Sequence, residues 1–330
     1  ELQRLSIQGI TLSVFDSGPA TADHTVVFLP GFCLTHATWT GHIERLLSVY
    51  GPSVRAITYD QRGHGSSAQA PISTYTIDQL AADLADLLAA LHVGPQLTLV
   101  GHSMGGMGAL SYLSRRPSQR PVDPTGLVLV ATAAGKLAHR GLGRLLGTPA
   151  TNAVAHTAAH LPDRVLRGLL APLCASLTPI RARVPTGGIA SLTLTALSTT
   201  APSTAIGYLP SLRTYDVSNT LSAIEARTVV VSGGVDPVTP VQHSHELADS
   251  ICGAIHLHAP AAGHMLPQQC ADLIHRGIEH ASGLTCLPQP SGRPHRRQPP
   301  AGNAARWLPA TAPPPSLRAP GPRANPSCLN

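Results

Sequence analysis

Gly101-His102-Ser103-Met104-Gly105 stands between the apolar run Leu97-Thr98-Leu99-Val100 and a stretch over 107–113 that reads as helix. A serine flanked by glycines at a sharp strand-to-helix turn has its hydroxyl lifted clear of a sheet edge, where it can serve as a nucleophile. The glycines leave room for the turn. The amide of Met104, at the start of the helix, points where negative charge on an attacked carbonyl oxygen would gather. Taken alone, the pentapeptide fits a Gly-rich connection without chemistry equally well. What decides is whether an acid and a histidine follow at suitable places.

Outward from the pentapeptide, the pattern is one of strands alternating with helices. Thr25-Val26-Val27-Phe28-Leu29 is a near-continuous β-branched and apolar run ending at Pro30-Gly31, as in a strand buried on both faces of a parallel sheet. Val54-Arg55-Ala56-Ile57-Thr58-Tyr59 is the next strand and stops at the polar, glycine-punctuated loop Asp60-Gln61-Arg62-Gly63-His64-Gly65. Residues 5–8 and 11–15, separated by Gly9, read as an opening hairpin. Thr76 and Gln79 form a capping-box pattern. Beyond them Ile77, Leu80, Ala81, Leu84, Leu87, Leu88 and Leu91 recur at helical spacing, with Asp78, Asp83 and Asp86 off the stripe. Further strands are expected at 126–130, 228–231 and 254–258, with helices near 241–251 and 266–281. Parallel strands need crossovers and these are usually helical, so the class is α/β with a mostly parallel sheet.

The alternation breaks between 132 and 215, which reads as several helices, among them 162–170 and 189–197. This predicts a core formed by 1–131 and 216–285, with a helical cap over 132–215 sitting on the sheet. The cap range holds eight basic residues, including Lys136, Arg140 and Arg144, against Asp163 alone. Such a surface suits an anionic or amphiphilic substrate or peripheral contact with a lipid surface, and equally a solvated face paired with acids of the core. Residues 286–330 contain six arginines, no acid and 12 of the 31 prolines, without apolar periodicity, and are expected to be a disordered tail. The tail accounts for the whole net charge of +6; the remainder balances 17 basic against 17 acidic residues. A nucleic-acid partner is therefore not indicated.

The six cysteines are scattered, with neither C-x-x-C nor finger spacing, so no disulfide framework and no zinc site is expected. His243-x-His245 and His256-x-His258 resemble metal spacing but lack carboxylates or cysteines in a ligand pattern. No metal or cofactor is called for. No apolar run is long enough for a membrane span, and no basic-then-apolar leader is present. The expected location is cytoplasmic, with a removed leader left open by the start at Glu1.

The acid and the histidine do follow. The strand at 228–231 ends in Ser232-Gly233-Gly234-Val235-Asp236-Pro237, and the strand at 254–258 ends in Ala259-Pro260-Ala261-Ala262-Gly263-His264. Both residues lie just past strand ends, the edge at which open α/β sheets build their sites. Serine is a poor nucleophile at neutral pH and needs a base within hydrogen-bond reach; histidine titrates in the useful range. Asp236 would keep the proton on the far imidazole nitrogen and stabilise the imidazolium once formed. A second donor to the oxyanion, beside Met104, is expected in the loop after 25–29, at the amide of Phe32.

With Pro30-Gly31-Phe32, Asp60-x-Arg62-Gly63-x-Gly65-x-Ser67, Gly101-x-Ser103-x-Gly105-Gly106, Gly234-x-Asp236-x-x-x-Pro240 and Gly263-His264, the chain resembles the α/β-hydrolase-fold serine hydrolases from about residue 5 to 282. The resemblance implies an eight-stranded, mostly parallel sheet flanked by helices, with an inserted cap, and a catalytic triad of Ser103, Asp236 and His264. It makes Asp60 and Arg62 a loop-stabilising pair. Pro30 stands where many members carry histidine. His102 is expected to pack beside the turn rather than act as base. Gly-His-Ser-Met-Gly-Gly occurs in esterases and monoacylglycerol-type lipases, so hydrolysis of a small-molecule carboxylic ester with an apolar, lipid-like acyl chain is the leading expectation. Carbon-carbon bond hydrolysis, cofactor-free perhydrolysis of the haloperoxidase kind, and ligand binding with weak catalysis stay open.

Overall fold

The computed structural model describes residues 1–149, 153, 157, 164–165 and 200–284. Most of the middle of the expected cap, with its helices at 162–170 and 189–197, and the whole expected tail, 286–330, lie outside the described residues.

Strands β1 (Leu2–Ile7) and β2 (Ile10–Ser17) form the hairpin, turning at Gln8 and Gly9 with φ of 50° and 76°. Two successive positive φ values match the right-handed twist of the flanking strands. There follow β3 (His24–Leu29), α1 (Thr40–Tyr50), β4 (Val54–Tyr59), α2 (Ile77–Ala90), β5 (Leu97–His102), α3 (Met104–Ser114), β6 (Gly126–Val130), α4 (Pro202–Thr214), β7 (Arg227–Gly233), α5 (Val241–Ser250), β8 (Ile255–Ala259) and α6 (Ala271–Ser282). They build one eight-stranded sheet in the order β1-β2-β4-β3-β5-β6-β7-β8. β1 and β2 pair antiparallel and β2 runs antiparallel to β4, while all pairings from β4 through β8 are parallel.

Every residue of β3, β4, β5 and β6 is buried, as in central parallel strands covered on both faces. Alternate side chains go to opposite faces. Val27, Leu29, Leu99 and Leu129 pack with Leu84 and Leu87 of α2, Leu110 of α3 and Leu247 of α5. Val26, Phe28, Val100, Val128 and Val130 pack with Ile43 and Leu46 of α1 and Ile274 and Ile278 of α6. Each fully buried residue of this kind contributes about 1.5–3 kcal/mol, so these two layers dominate the stabilisation.

The strand order also locates the site. From β3 the chain crosses by α1 to β4 on one side, then by α2 back past β3 to β5 on the other. Since crossovers share one hand, the reversal sends α1 and α2 to opposite faces and opens a crevice at the carboxyl ends of β3 and β5.

Three local expectations need correction. The Thr76 hydroxyl caps α2 by accepting from the Gln79 amide at 3.0 Å, but the Gln79 side chain donates forward to Asp83 Oδ1 at 3.2 Å instead of closing the box. Asp83, off the apolar stripe, is nonetheless buried, because Arg62 from the β4 loop neutralises it. The continuous last helix is interrupted: a single turn, Leu266–Gln269, is separated from α6 by Cys270 at φ −136°, ψ 51°. The break lets the Gln269 side chain turn back and accept from the Gly263 amide at 2.8 Å, tying down the loop before His264.

Candidate active site

Ser103 joins β5 to α3 with φ 51° and ψ −118°, a strained backbone for a residue with a side chain. The turn is held on several sides. The Ser103 amide donates to the Val130 carbonyl at 2.9 Å, and its own carbonyl accepts from the Thr132 hydroxyl at 2.7 Å. A side chain at Gly101 would meet the Cα of Gly106 at 2.5 Å, and one at Gly105 would run into the Leu29 carbonyl. The glycines are thus required by close backbone approach, and they let β5 pass directly into α3.

Asp236 and His264 come from the loops after β7 and β8. The Asp236 Oδ1 accepts from the amides of Val238 and Thr239 at 2.8 and 3.0 Å, a turn of the aspartate side chain onto its own backbone. Its Oδ2 accepts from His264 Nδ1 at 2.8 Å and from the Thr239 hydroxyl at 2.7 Å. Because a carboxylate only accepts, Nδ1 carries the proton and Nε2 is left to accept from the Ser103 hydroxyl at 3.0 Å. Ser103, Asp236 and His264 are 7%, 5% and 6% exposed, so the arrangement sits beneath the surface. Burial pushes the Asp236 carboxyl up, but the hydrogen bond and charge of His264 and the donors of Thr239 outweigh it and hold it below the usual carboxylate value.

His102 lies against this pair. Its Nε2 donates to the His264 carbonyl at 2.9 Å and the two rings stand 5.0 Å apart. Complete burial, reinforced by the neighbouring imidazole, takes it down to about 3, so it is neutral and cannot compete as the base. On the other side of the crevice, the Cys33 amide donates to His64 Nε2 at 3.1 Å and the Leu34 amide to the Gly31 carbonyl at 3.1 Å. Neither the Phe32 nor the Met104 amide is taken up by an acceptor among the described residues.

The remaining candidates divide differently from the sequence reading. Asp60 and Arg62 both stabilise the β4 loop, but not as a pair. Asp60 accepts from the His36 amide and imidazole at 2.8 and 2.9 Å and from the Ser66 amide at 2.9 Å. Arg62 forks onto Asp83 at 2.6 and 2.5 Å. His243 is buried, and burial followed by the charge of Arg140 takes it down to about 4. His256 and His258 share the hydroxyl of Ser232 at 2.7 and 2.8 Å. Among the described residues no group of three or more side chains could hold a metal ion, and no helix is long and apolar enough to cross a membrane. Two residues at the site were not anticipated: Thr132 behind the serine and Thr239 behind the aspartate. The second had a signal, since Asp-Pro-x-Thr reads as a side-chain turn.

Residues 24–267 match a family model described as the alpha/beta hydrolase fold. Among curated proteins, 3-oxoadipate enol-lactonase 1 of Acinetobacter baylyi is 28% identical over 235 residues, 71% of this chain and 79% of that protein. The non-heme chloroperoxidase CPO-A1 of Kitasatospora aureofaciens is 38% identical over 96 residues, 29% of this chain and 33% of that one. Among solved structures, an esterase from Exiguobacterium antarcticum superposes with a TM-score of 0.64 at 21% identity, covering 84% of this chain and 98% of the other.

Proposed function

The chain belongs to the alpha/beta hydrolase fold family, and we propose that it hydrolyses carboxylic esters through an acyl-enzyme on Ser103. The observation that carries this is the relay in which Ser103 Oγ lies 3.0 Å from His264 Nε2 and His264 Nδ1 lies 2.8 Å from a buried carboxylate. As Oγ attacks the ester carbonyl, His264 takes its proton, and the amides of Phe32 and Met104 hold the oxyanion. His264 then gives that proton to the departing alkoxide, which leaves as the alcohol. A water molecule entering in its place loses a proton to the same nitrogen and attacks the acyl carbon. The acid departs and Ser103 recovers its hydrogen. Asp236 stays ionised throughout and stabilises the imidazolium.

An apolar acyl group is supported by the company Met104 keeps. It belongs to a buried cluster with Met107, Leu137 and Tyr208, against which Phe32 packs. A fluorophosphonate probe should label Ser103 in the wild type and not in Ser103→Ala. Among p-nitrophenyl esters, kcat/KM should rise from acetate to longer chains; a preference for acetate would remove the apolar acyl pocket from the proposal. The likeness to a chloroperoxidase favours perhydrolysis as a second reading. Bromination of monochlorodimedone with acetate, hydrogen peroxide and added bromide, in which peracetic acid formed at the site oxidises the bromide, would put that reaction first if it outran ester turnover.

A further inference from the structure

Behind the aspartate stands a hydroxyl that the reaction scheme has not used. We infer that Thr239 is a positioning residue which sets the direction and strength of the Asp236–His264 hydrogen bond and thereby the basicity of the base. The inference rests on the ester-hydrolase reading for its kinetic arm only.

The geometry leaves the hydroxyl one role. Thr239 Oγ1 is 2.7 Å from Asp236 Oδ2 and 3.3 Å from His264 Nδ1, and the residue is buried. Its single proton must go to the carboxylate, which can only accept. The hydroxyl lone pairs therefore face Nδ1–H, and the imidazole proton is held between two oxygens instead of one. This favours the tautomer that frees Nε2 for Ser103. With two amides on Oδ1 and the hydroxyl and imidazole on Oδ2, all four acceptor positions of the carboxylate are used.

The hydroxyl also draws charge from the oxygen that pulls on the imidazole. Removing it forfeits the long 3.3 Å contact to Nδ1 but leaves Oδ2, at 2.8 Å, more negative towards His264; the shorter, charged contact dominates, so the imidazolium is stabilised and proton return to the leaving group is harder. The charged and titratable groups around His264 among the described residues do not mask this. Asp236 is the carboxylate in question, and His102, tilted against the ring, stays neutral down to about pH 3. His243 of α5, which feels the charge of Asp236 along with Arg140, Glu246 and Lys136, is neutral above about pH 4.

Thr239→Val removes the hydroxyl at equal volume, and Thr239→Ser keeps it. In Thr239→Val the lower limb of the kcat/KM profile should move up by about half a pH unit. Its plateau should fall about tenfold in kcat with KM little changed. Thr239→Ser should recover both. The far-downfield proton resonance of His264 Nδ1–H, assigned by its loss in His264→Gln, gives a readout without turnover: it should shift and titrate at higher pH in Thr239→Val and not in Thr239→Ser. A valine variant that folds with an unmoved resonance and profile overturns the inference, as does a serine variant that behaves like the valine one. A moved resonance in a protein that turns over no ester supports the positioning role and instead removes the ester-hydrolase reading.

Discussion

Two aspartate–histidine pairs stand at the same edge of this sheet. After β4, Asp60 meets His36 Nδ1 at 2.9 Å; after β7, Asp236 meets His264 Nδ1 at 2.8 Å. Both carboxylates are buried and both accept backbone amides as well. The difference lies in what the far side of each ring faces. His36 stacks on Phe15 at 3.5 Å between ring centres, a packing contact. His264 presents Nε2 to the strained serine. The third partner is thus what suits an aspartate–histidine pair to proton handling; without one it is a clamp. The β4 pair clamps the loop that carries Phe32, because Asp60 holds the His36 amide and His64 holds the Cys33 amide.

The largest expected effect separates the pairs outright. Ser103→Ala or His264→Ala should lower kcat by about 10⁴–10⁶-fold, and His36→Ala should leave kcat within a few fold. Steady-state rates on one ester, with folding checked by circular dichroism, test this; a comparable loss in His36→Ala would dissolve the distinction. Asp236→Asn should cost about 10⁴-fold in kcat through the wrong imidazole tautomer. Asp60→Asn should instead appear as lost stability of about 1–3 kcal/mol in urea titrations, with activity per folded molecule retained.

A further test probes the scaffold character of the β4 loop. Arg62→Ala strands the buried Asp83 and should destabilise the fold by about 3–5 kcal/mol, visible as a lower denaturation midpoint. Acid sensitivity then compares a neutral imidazole from each region. Burial holds His64 down to about 4 and His102 to about 3, while an unfolded histidine takes up its proton near 6.5. Below pH 6.5 the unfolded chain binds more protons, so stability is present above that pH and is lost on acidification. The loss is about 1.4 kcal/mol per pH unit for each ring as pH falls towards 4. Urea midpoints at pH 7.5, 6 and 5 should drop accordingly; midpoints that stay level would mean neither ring is neutral. The smallest effect is Thr76→Ala, which removes the α2 cap and should cost about 1 kcal/mol without touching kcat.

What was legible in the sequence followed the range of the interactions involved. β4 and β6 have the bounds the sequence predicts because each is a short segment rich in β-branched and apolar residues, a purely local signal. The helical pattern shows only over 107–113, since Gly105 and Gly106 read as breakers, whereas α3 begins at Met104, where the turn at Ser103 places the helix start. The burial of Asp83 was hidden because its partner, Arg62, lies 21 residues away on another element. The pairing of Asp60 with His36 was hidden for the same reason. Ser103, Asp236 and His264 were readable together because each sits just past a strand end, a position that periodicity reveals even when contacts do not.

The distance along the chain between those residues has a consequence for synthesis. Ser103 and His264 are 161 positions apart, whereas the turn that strains Ser103 draws on neighbours in β3, β5 and β6. On the ribosome the first six strands of the sheet can pair while His264 has yet to emerge, and long-range parallel pairing is slow to complete. The nascent protein therefore carries a shaped serine without its histidine partner. Under the proposed mechanism, hydrolytic competence waits for β7 and β8 to dock, which would make onset of activity a timer for completion of the fold.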